Sequence, residues 1–452
     1  MKVRRAVIFM FFILNIKVLY GQKTQKPVQD RIIQLSIVPS LGINGLHPGS
    51  FNNYISINLT SGYSLSSLFF ELSTFSNLNT NNTQGLQIAG LVNITGGNAF
   101  AGLNEKEIKE KILSGFSPNL TGIQLSGISN IVLGNIIGSQ ITGGLNLGKG
   151  ALIGFQSAGI GNIVYKYGLG VQLAGLFNVS MQAFDGLQVA TISNYTKGNM
   201  AGVQIAALNQ AGDIFGVNSN DNSQPVGLQI GLVNIAKSMS GFQIGLINIS
   251  KRSRGTQIGL INFYRGGKQP ETKDGTAFGL INIGDITYVN IYANELYGLN
   301  YELSTGNRKN GRMLRDKKNI YITNSLSYSH KSFKGNHKSI GYGLKRMYFN
   351  RSPIPGQTES KFLSYGIDVQ LIKLPNEKIL ENLNILSKVK FAAGSRIAPK
   401  LVGFNWFLEL SLNGYITQGF SSIRPGFLSS EQHYKSYRIE YWPGVAIGFL
   451  MH

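Results

Sequence analysis

Hydrophobic and polar positions alternate along most of this chain. Between residues 85 and 283 they do so inside a tandem repeat, Gly-x-Gln-apolar-x-small-apolar-x-Asn, present in about ten copies. Gln124, Gln140, Gln156, Gln172, Gln188 and Gln204 follow one another at 16 residues, and Asn130, Asn146, Asn162, Asn178 and Asn194 keep the same spacing. Gln229, Gln243 and Gln257 then follow at 14. Period-two alternation predicts half-buried strands, and a fixed repeat length makes each copy one supersecondary unit. Three strand-like runs precede the repeat, at 32–43, 54–63 and 68–78, although Phe69, Glu71, Ser73 and Phe75 share one parity. Seven longer runs follow it, at 289–303, 319–329, 339–349, 362–372, 387–397, 405–416 and 437–451, rich in Tyr, Phe and Trp.

Two architectures compete for this pattern. Taken as one extended strand, 170–180 turns Val171, Leu173, Gly175, Phe177 and Val179 one way, and Gln172, Ala174, Leu176, Asn178 and Ser180 the other. Such a strand has the roughly 9–11 residues that cross a bilayer at a tilt, and 181–185 then forms a hairpin turn. The fold predicted first is therefore all-β: a large antiparallel outer-membrane barrel of about twenty strands. It would take residues 32–80 as N-terminal barrel strands, 85–283 as repeat strands and 287–452 as aromatic-rich C-terminal strands. The alternative is a β-solenoid inserted between barrel-type strands, each copy forming one coil. Identical register is what parallel stacking rewards, and the apolar residues shortly before the motif glycine (Leu120, Ile137, Phe184, Met200, Met239) suit a buried corner. That model requires a bend near Gly175. In the 14-residue copies Gln243 and Asn248 are five apart, so either model needs a local shift to keep them on one face.

Two stretches interrupt the repeat. Residues 96–121 contain a capping-box-like start at Asn104 and apolar residues at helical spacing, predicting a short loop helix. Residues 210–225, rich in Asn, Asp, Ser and Gly, predict a second loop. At the N-terminus, Lys2, Arg4 and Arg5 precede an apolar run, with Gly21 before Gln22, as in a cleaved secretory signal spanning 1–21; 22–31 reads as a polar tether. Only 14% of the 452 residues are charged, against roughly 25% in an ordinary soluble domain. The formal charge of +21 falls to +17 without residues 1–21, which favours an anionic partner; in an exported chain that means lipid and lipopolysaccharide, with other envelope proteins a further option, rather than nucleic acid.

The segments Gly-Leu-Gln-Ile-Gly-Leu-Val-Asn-Ile (227–235), Gly-Phe-Gln-Ile-Gly-Leu-Ile-Asn-Ile (241–249) and Gly-Thr-Gln-Ile-Gly-Leu-Ile-Asn-Phe (255–263) resemble the surface-repeat family of Gram-negative envelope proteins. The resemblance extends over roughly 85–307, through Tyr-Glu-Leu-Ser-Thr-Gly-Asn (301–307), and the 16-residue spacing at 122–209 departs from it. It implies an outer-membrane or cell-surface location and carries no catalytic residue.

Little in the chain suits catalysis. Cysteine is absent, and the five histidines make no i, i+4 pair, which excludes thiolate chemistry and a helical zinc motif. No nucleophile elbow, phosphate loop or metalloprotease motif occurs, so no enzyme activity, cofactor or metal is expected. The candidate residues are the Gln and Asn rows named above, as a polar lumen lining or a structural ladder, and the basic cluster Arg308, Lys309, Arg312, Arg315, Lys317 and Lys318, as contacts for lipopolysaccharide phosphates. Trp406, Tyr441 and Trp442 suit either an interfacial girdle or core packing. The function expected first is structural, assembly or passive transport as a membrane barrel; the alternative is a surface solenoid binding carbohydrate or host matrix.

Overall fold

The computed structural model describes residues 28–96, 119–214, 227–253, 255–264, 275–284, 286–309, 318–333, 336–350, 361–375, 384–397, 404–418, 423, 428–434 and 437–451. It divides into two compact units, Met1–Gly231 and Leu232–His452. The loop helix expected near Asn104, the signal segment 1–21 and most of the loop after 214 lie outside the described residues. Residues 210–214, expected to open that loop, are strand (Leu208–Ile214).

The first unit is a β-solenoid. Its pairings between successive coils are parallel, and in register apart from shifts at Asn53/Ile55 and Thr196/Asn199. Leu120–Ser126, Ile136–Thr142, Leu152–Ala158, Gly168–Ala174 and Phe184–Ala190 stack so that Gln124, Gln140, Gln156, Gln172 and Gln188 pair with one another. The shorter strands Ser129–Val132, Leu145–Gly148, Gly161–Val164 and Phe177–Ser180 do the same for Asn130, Asn146, Asn162 and Asn178. Each coil is therefore a wedge with one seven-residue and one four-residue strand. The chain bends at Gly175–Leu176, so the 170–180 run is two strands and not one membrane-crossing strand. The expected barrel of about twenty strands is thereby replaced. The N-terminal runs also belong to the solenoid: Gln29–Val38 pairs in parallel with Phe51–Asn58, which pairs with Ser66–Ser73, which pairs with Thr83–Ala89. Residues 32–80 therefore supply no barrel strands.

The parity of each short segment is as the alternation predicts, and the corner residues explain the period. Leu120, Ile136, Leu152, Phe184 and Met200 are fully buried at the corner where the long strand begins. The 16-residue period keeps these corners in one column, where Gly168 alone makes room for the Phe184 ring, and burying each large residue contributes about 1.5–3 kcal/mol. Ile137, expected at this corner, is 50% exposed.

The second unit opens with 14-residue coils. Phe242–Ser253 pairs in parallel with Thr256–Tyr264, and the register skips Leu246 and Leu260. Gln243 and Asn248 are both buried while Ile244 and Leu246 are exposed. A local shift at Leu246 and Leu260, inside the strands Phe242–Ser253 and Thr256–Tyr264, absorbs the odd spacing of the shorter copies.

The rest of this unit is a closed antiparallel barrel of eight strands: Ile286–Asn294, Tyr297–Lys309, Lys318–Ser332, Lys338–Asn350, Lys361–Lys373, Asn384–Arg396, Phe404–Thr417 and Arg438–Met451. The last strand closes the ring on the first, with Val289–Asn294 against Ala446–Met451. Six of the seven expected runs are single strands. The seventh, 289–303, folds back at Glu295–Leu296 into a hairpin. That extra strand makes the number even, which antiparallel closure of first on last requires.

Candidate functional site

Three buried polar systems stand out among the described residues. The first is the glutamine ladder. Every Gln of the row is completely buried. Gln229 Nε2 donates to Gln204 Oε1, and the same bond recurs from 204 to 188, 172, 156, 140, 124 and 87, at 2.7–2.8 Å throughout. All donors point toward the N-terminal coils. The row ends on Glu71, which occupies the ladder position opposite Gln87. Glu71 Oε2 accepts from Gln87 Nε2 at 2.9 Å and from Asn79 Nδ2 at 2.8 Å. Burial pushes the Glu71 carboxyl up to about 7, against the lowering effect of those two donors.

The asparagine ladder runs the other way. Asn77 donates to Asn93, Asn93 to Asn130, and so on through Asn146, Asn162, Asn178 and Asn194 to Asn209, at 2.9–3.0 Å. A second hydrogen of each amide meets a backbone carbonyl of the next coil, as in Asn162 Nδ2 to Leu173 O at 2.8 Å. A flipped amide would set oxygen against oxygen, so the ladder direction is fixed by the backbone. The two rows thus carry opposed dipoles side by side, each polarised along its own length. Fully buried and mutually bonded, these amides cannot reach a sugar or line a wet path; the expected Gln and Asn positions are ladder rungs.

The third system fills the barrel. Glu302 lies at its centre with no exposed surface. It takes hydrogen bonds from Lys345, from Lys390 at 3.2 Å, from Asn290 at 2.8 Å and from Ser304 at 3.0 Å. Lys390 also bonds Asp368 and lies 4.0 Å from Glu409. This ionic layer is shut between two apolar layers. Tyr288, Tyr292, Phe349, Phe362 and Phe407 pack on one side; Tyr297, Ile372, Leu386, Tyr415 and Trp442 pack on the other. Along a single strand the order is Phe362, Asp368, Ile372, all inward. Eight strands leave an interior that side chains just fill, and here they seal it. Sequence reading missed this cluster because Glu302, Lys345, Asp368, Lys390 and Glu409 are far apart in the chain; inward parity on each strand was the available signal. Glu295, in the hairpin of the first two strands, fastens the seam. Its Oε1 accepts from Asn413 Nδ2 at 2.9 Å and Trp442 Nε1 at 3.0 Å, and its Oε2 from the Val445 N–H at 3.1 Å.

The barrel's outer wall is the reverse of its interior. Leu363, Tyr365, Ile367, Val369 and Leu371 on one strand, and Trp406, Leu408, Leu410 and Leu412 on another, are exposed. Of the three residues that suited either a girdle or core packing, Trp406 and Tyr441 face outward and Trp442 is packed inside. Of the expected basic cluster, Arg308, Lys309 and Lys318 lie in strands whose side chains there are outside the described residues, as are Arg312, Arg315 and Lys317 altogether. No group of three His, Cys, Asp or Glu among the described residues is placed to hold a metal ion. No described helix is long and apolar enough to cross a membrane, which says nothing of strands. No protein-family model, curated protein or solved structure matches the chain.

Proposed function

We propose that this chain is a non-catalytic envelope protein of the outer membrane, in which the eight-stranded barrel is a sealed anchor and the tandem-repeat solenoid is the architectural element it holds. The inverted polarity of the barrel carries the reading. An apolar outer wall around a paired ionic interior is stable in hydrocarbon, where closure also satisfies every main-chain donor and acceptor. Strands of 13–15 residues from Tyr297 to Met451 exceed the roughly 9–11 needed to span. The packed interior supports anchoring over passive transport. The low charge of the chain and its resemblance to surface-repeat proteins agree with an envelope location.

In purified outer membranes, the protein is expected to migrate faster on gels unheated than boiled. In planar bilayers it should give no steady conductance. Recovery from the soluble periplasmic fraction would sink the anchor; a stable open-channel current would sink the sealed interior.

A further inference from the structure

The solenoid is inside out. Its interior holds amides, and its outside is apolar on both sheets and on the narrow edge between them. In the coil 152–167, Ile153 faces out from the long strand and Ile160 stands at the narrow bend, 47% and 43% exposed. Ile128, Leu176, Ile192 and Leu208 repeat the bend position in neighbouring coils; Leu246, Leu260 and Leu280 repeat it in the 14-residue coils, and all are exposed. A soluble protein rarely leaves so continuous an apolar surface. The backbone at this edge is nonetheless satisfied, since its N–H groups bond the preceding coil: Ile160 N to Gly144 O at 3.0 Å, Leu176 N to Ile160 O at 2.9 Å, Ile192 N to Leu176 O at 3.0 Å.

Over residues 120–209 charge is confined to the opposite, wide turn. Residues 120–209 contain four charged side chains, Lys149, Lys166, Asp185 and Lys197. All sit in or beside that turn, where Asp185 accepts from the Tyr167 hydroxyl at 2.6 Å. Lys237 and Lys251 hold the corresponding place in the 14-residue coils. The wedge therefore has a basic rim and an apolar body. From rim to narrow edge, four to seven strand residues at ~3.3 Å each span roughly 13–23 Å, a range that includes the ~15 Å hydrocarbon depth of one leaflet.

A second observation lies within the second unit. Its last coil rests on the outside of the barrel wall, where Asn324 Nδ2 donates to Ala277 O at 3.3 Å and Ile281–Ile283 packs against Tyr297–Lys309 and Lys318–Ser332. Asn324 is near the middle of its strand. A coil at mid-height on a lipid-facing wall lies at the depth of the acyl chains.

From these observations we infer that the coils are seated edge-on in a lipid leaflet, with the narrow edge and both sheets in the acyl chains and the lysine rim among anionic headgroups. A second copy would cover one flat sheet at a time, whereas hydrocarbon covers both sheets and the edge together. This rests on the membrane reading of the barrel.

The test uses the full chain, which has no native cysteine, in liposomes containing phosphatidylglycerol. Single variants Ile160→Cys, Leu260→Cys, Lys166→Cys and, as a barrel control, Leu410→Cys carry an environment-sensitive fluorophore. Lipids brominated on the acyl chains should quench the labels at 160, 260 and 410 several-fold more than the label at 166, while aqueous iodide should show the opposite order. If 410 responds to the brominated lipid and 160 and 260 respond only to iodide, the inference fails and the anchor stands. If none of the three responds to the lipid, both fail. Disulfide-linked dimers through Ile160→Cys without lipid quenching would make a second copy the occupant and overturn the inference.

Discussion

At the scale of single residues, Glu71 is the exception that gives the solenoid a titratable point. A row of amides all donating in one direction needs an acceptor at its end, and a carboxylate placed in the glutamine column supplies it. Burial nevertheless favours the neutral acid, and the carboxyl is pushed up to about 7 from an ordinary 4.5. A raised acid contributes stability that is fully present below its unfolded value and is lost as pH rises through the folded one. The window is thus about pH 4.5 to 7, and the loss amounts to about 3 kcal/mol. Amide exchange in the strands around Glu71 should therefore speed up on going from pH 5 to pH 8, after correction for intrinsic rates. Glu71→Gln keeps the acceptor for Gln87 and removes the charge, so its opening free energy should be flat over that range. A wild-type protein with no slope, or a variant that keeps it, would show that Glu71 does not limit these coils. The sequence puts Glu71 on one parity with Phe69, Ser73 and Phe75, whereas the structure buries Glu71 and Ser73 and turns Phe69 and Phe75 outward; the place of Glu71 in the glutamine column was not readable, because the repeat motif does not extend that far back.

At the scale of the strand, the motif glycine decides whether coils can stack. Gly122, Gly138, Gly154, Gly170, Gly186 and Gly202 all have φ between 126° and 141°, a region closed to other L-residues. A Cβ built on Gly170 would also run into the carbonyl oxygen of Gly154 in the coil beneath. Gly170→Ala is thus strained twice, and a cost of about 2–4 kcal/mol is expected, read as a lower denaturant midpoint for the solenoid transition. Gly161→Ala meets only the movable Phe177 ring and should cost distinctly less; equal losses would show that backbone conformation is not what the glycine provides. The same strands show why the sequence left the architecture open. Alternation from Val171 to Ser180 places Gln172 and Asn178 inward in a barrel and in a solenoid alike. What separates the two is the bend at Gly175–Leu176, and a Gly-Leu pair inside an apolar run carries no turn signal. The hairpin at Glu295–Leu296 was hidden in the same way, since Asn294-Glu295 breaks an aromatic run without glycine or proline.

At the scale of the whole molecule, stability of the solenoid is a sum over coils and the contacts between neighbours, because the pairings within it link each coil to the next. Regular spacing was the one legible sign of this, and it makes a sharp prediction about deletions. Removing residues 152–167 joins Ala151 to Gly168 and takes out one complete coil. Gln172 then meets Gln140, and Asn178 meets Asn146, with every ladder bond renewed one step along. The shortened chain should still fold and reach the membrane, losing one coil's share of stability. Removing 152–159 takes out half that number, and it sets Gly161 onward into the column of the long strand. Amides would then face apolar side chains, and buried groups would lose their partners at about 1–3 kcal/mol each. That variant should fail to assemble, seen as loss of heat-modifiable protein from the membrane fraction. If both deletions behave alike, the ladders are not what holds the coils in register. The barrel makes the contrast: its ring closes only with all eight strands present, so no comparable unit can be taken from 286–451 without opening the seam that Glu295 fastens.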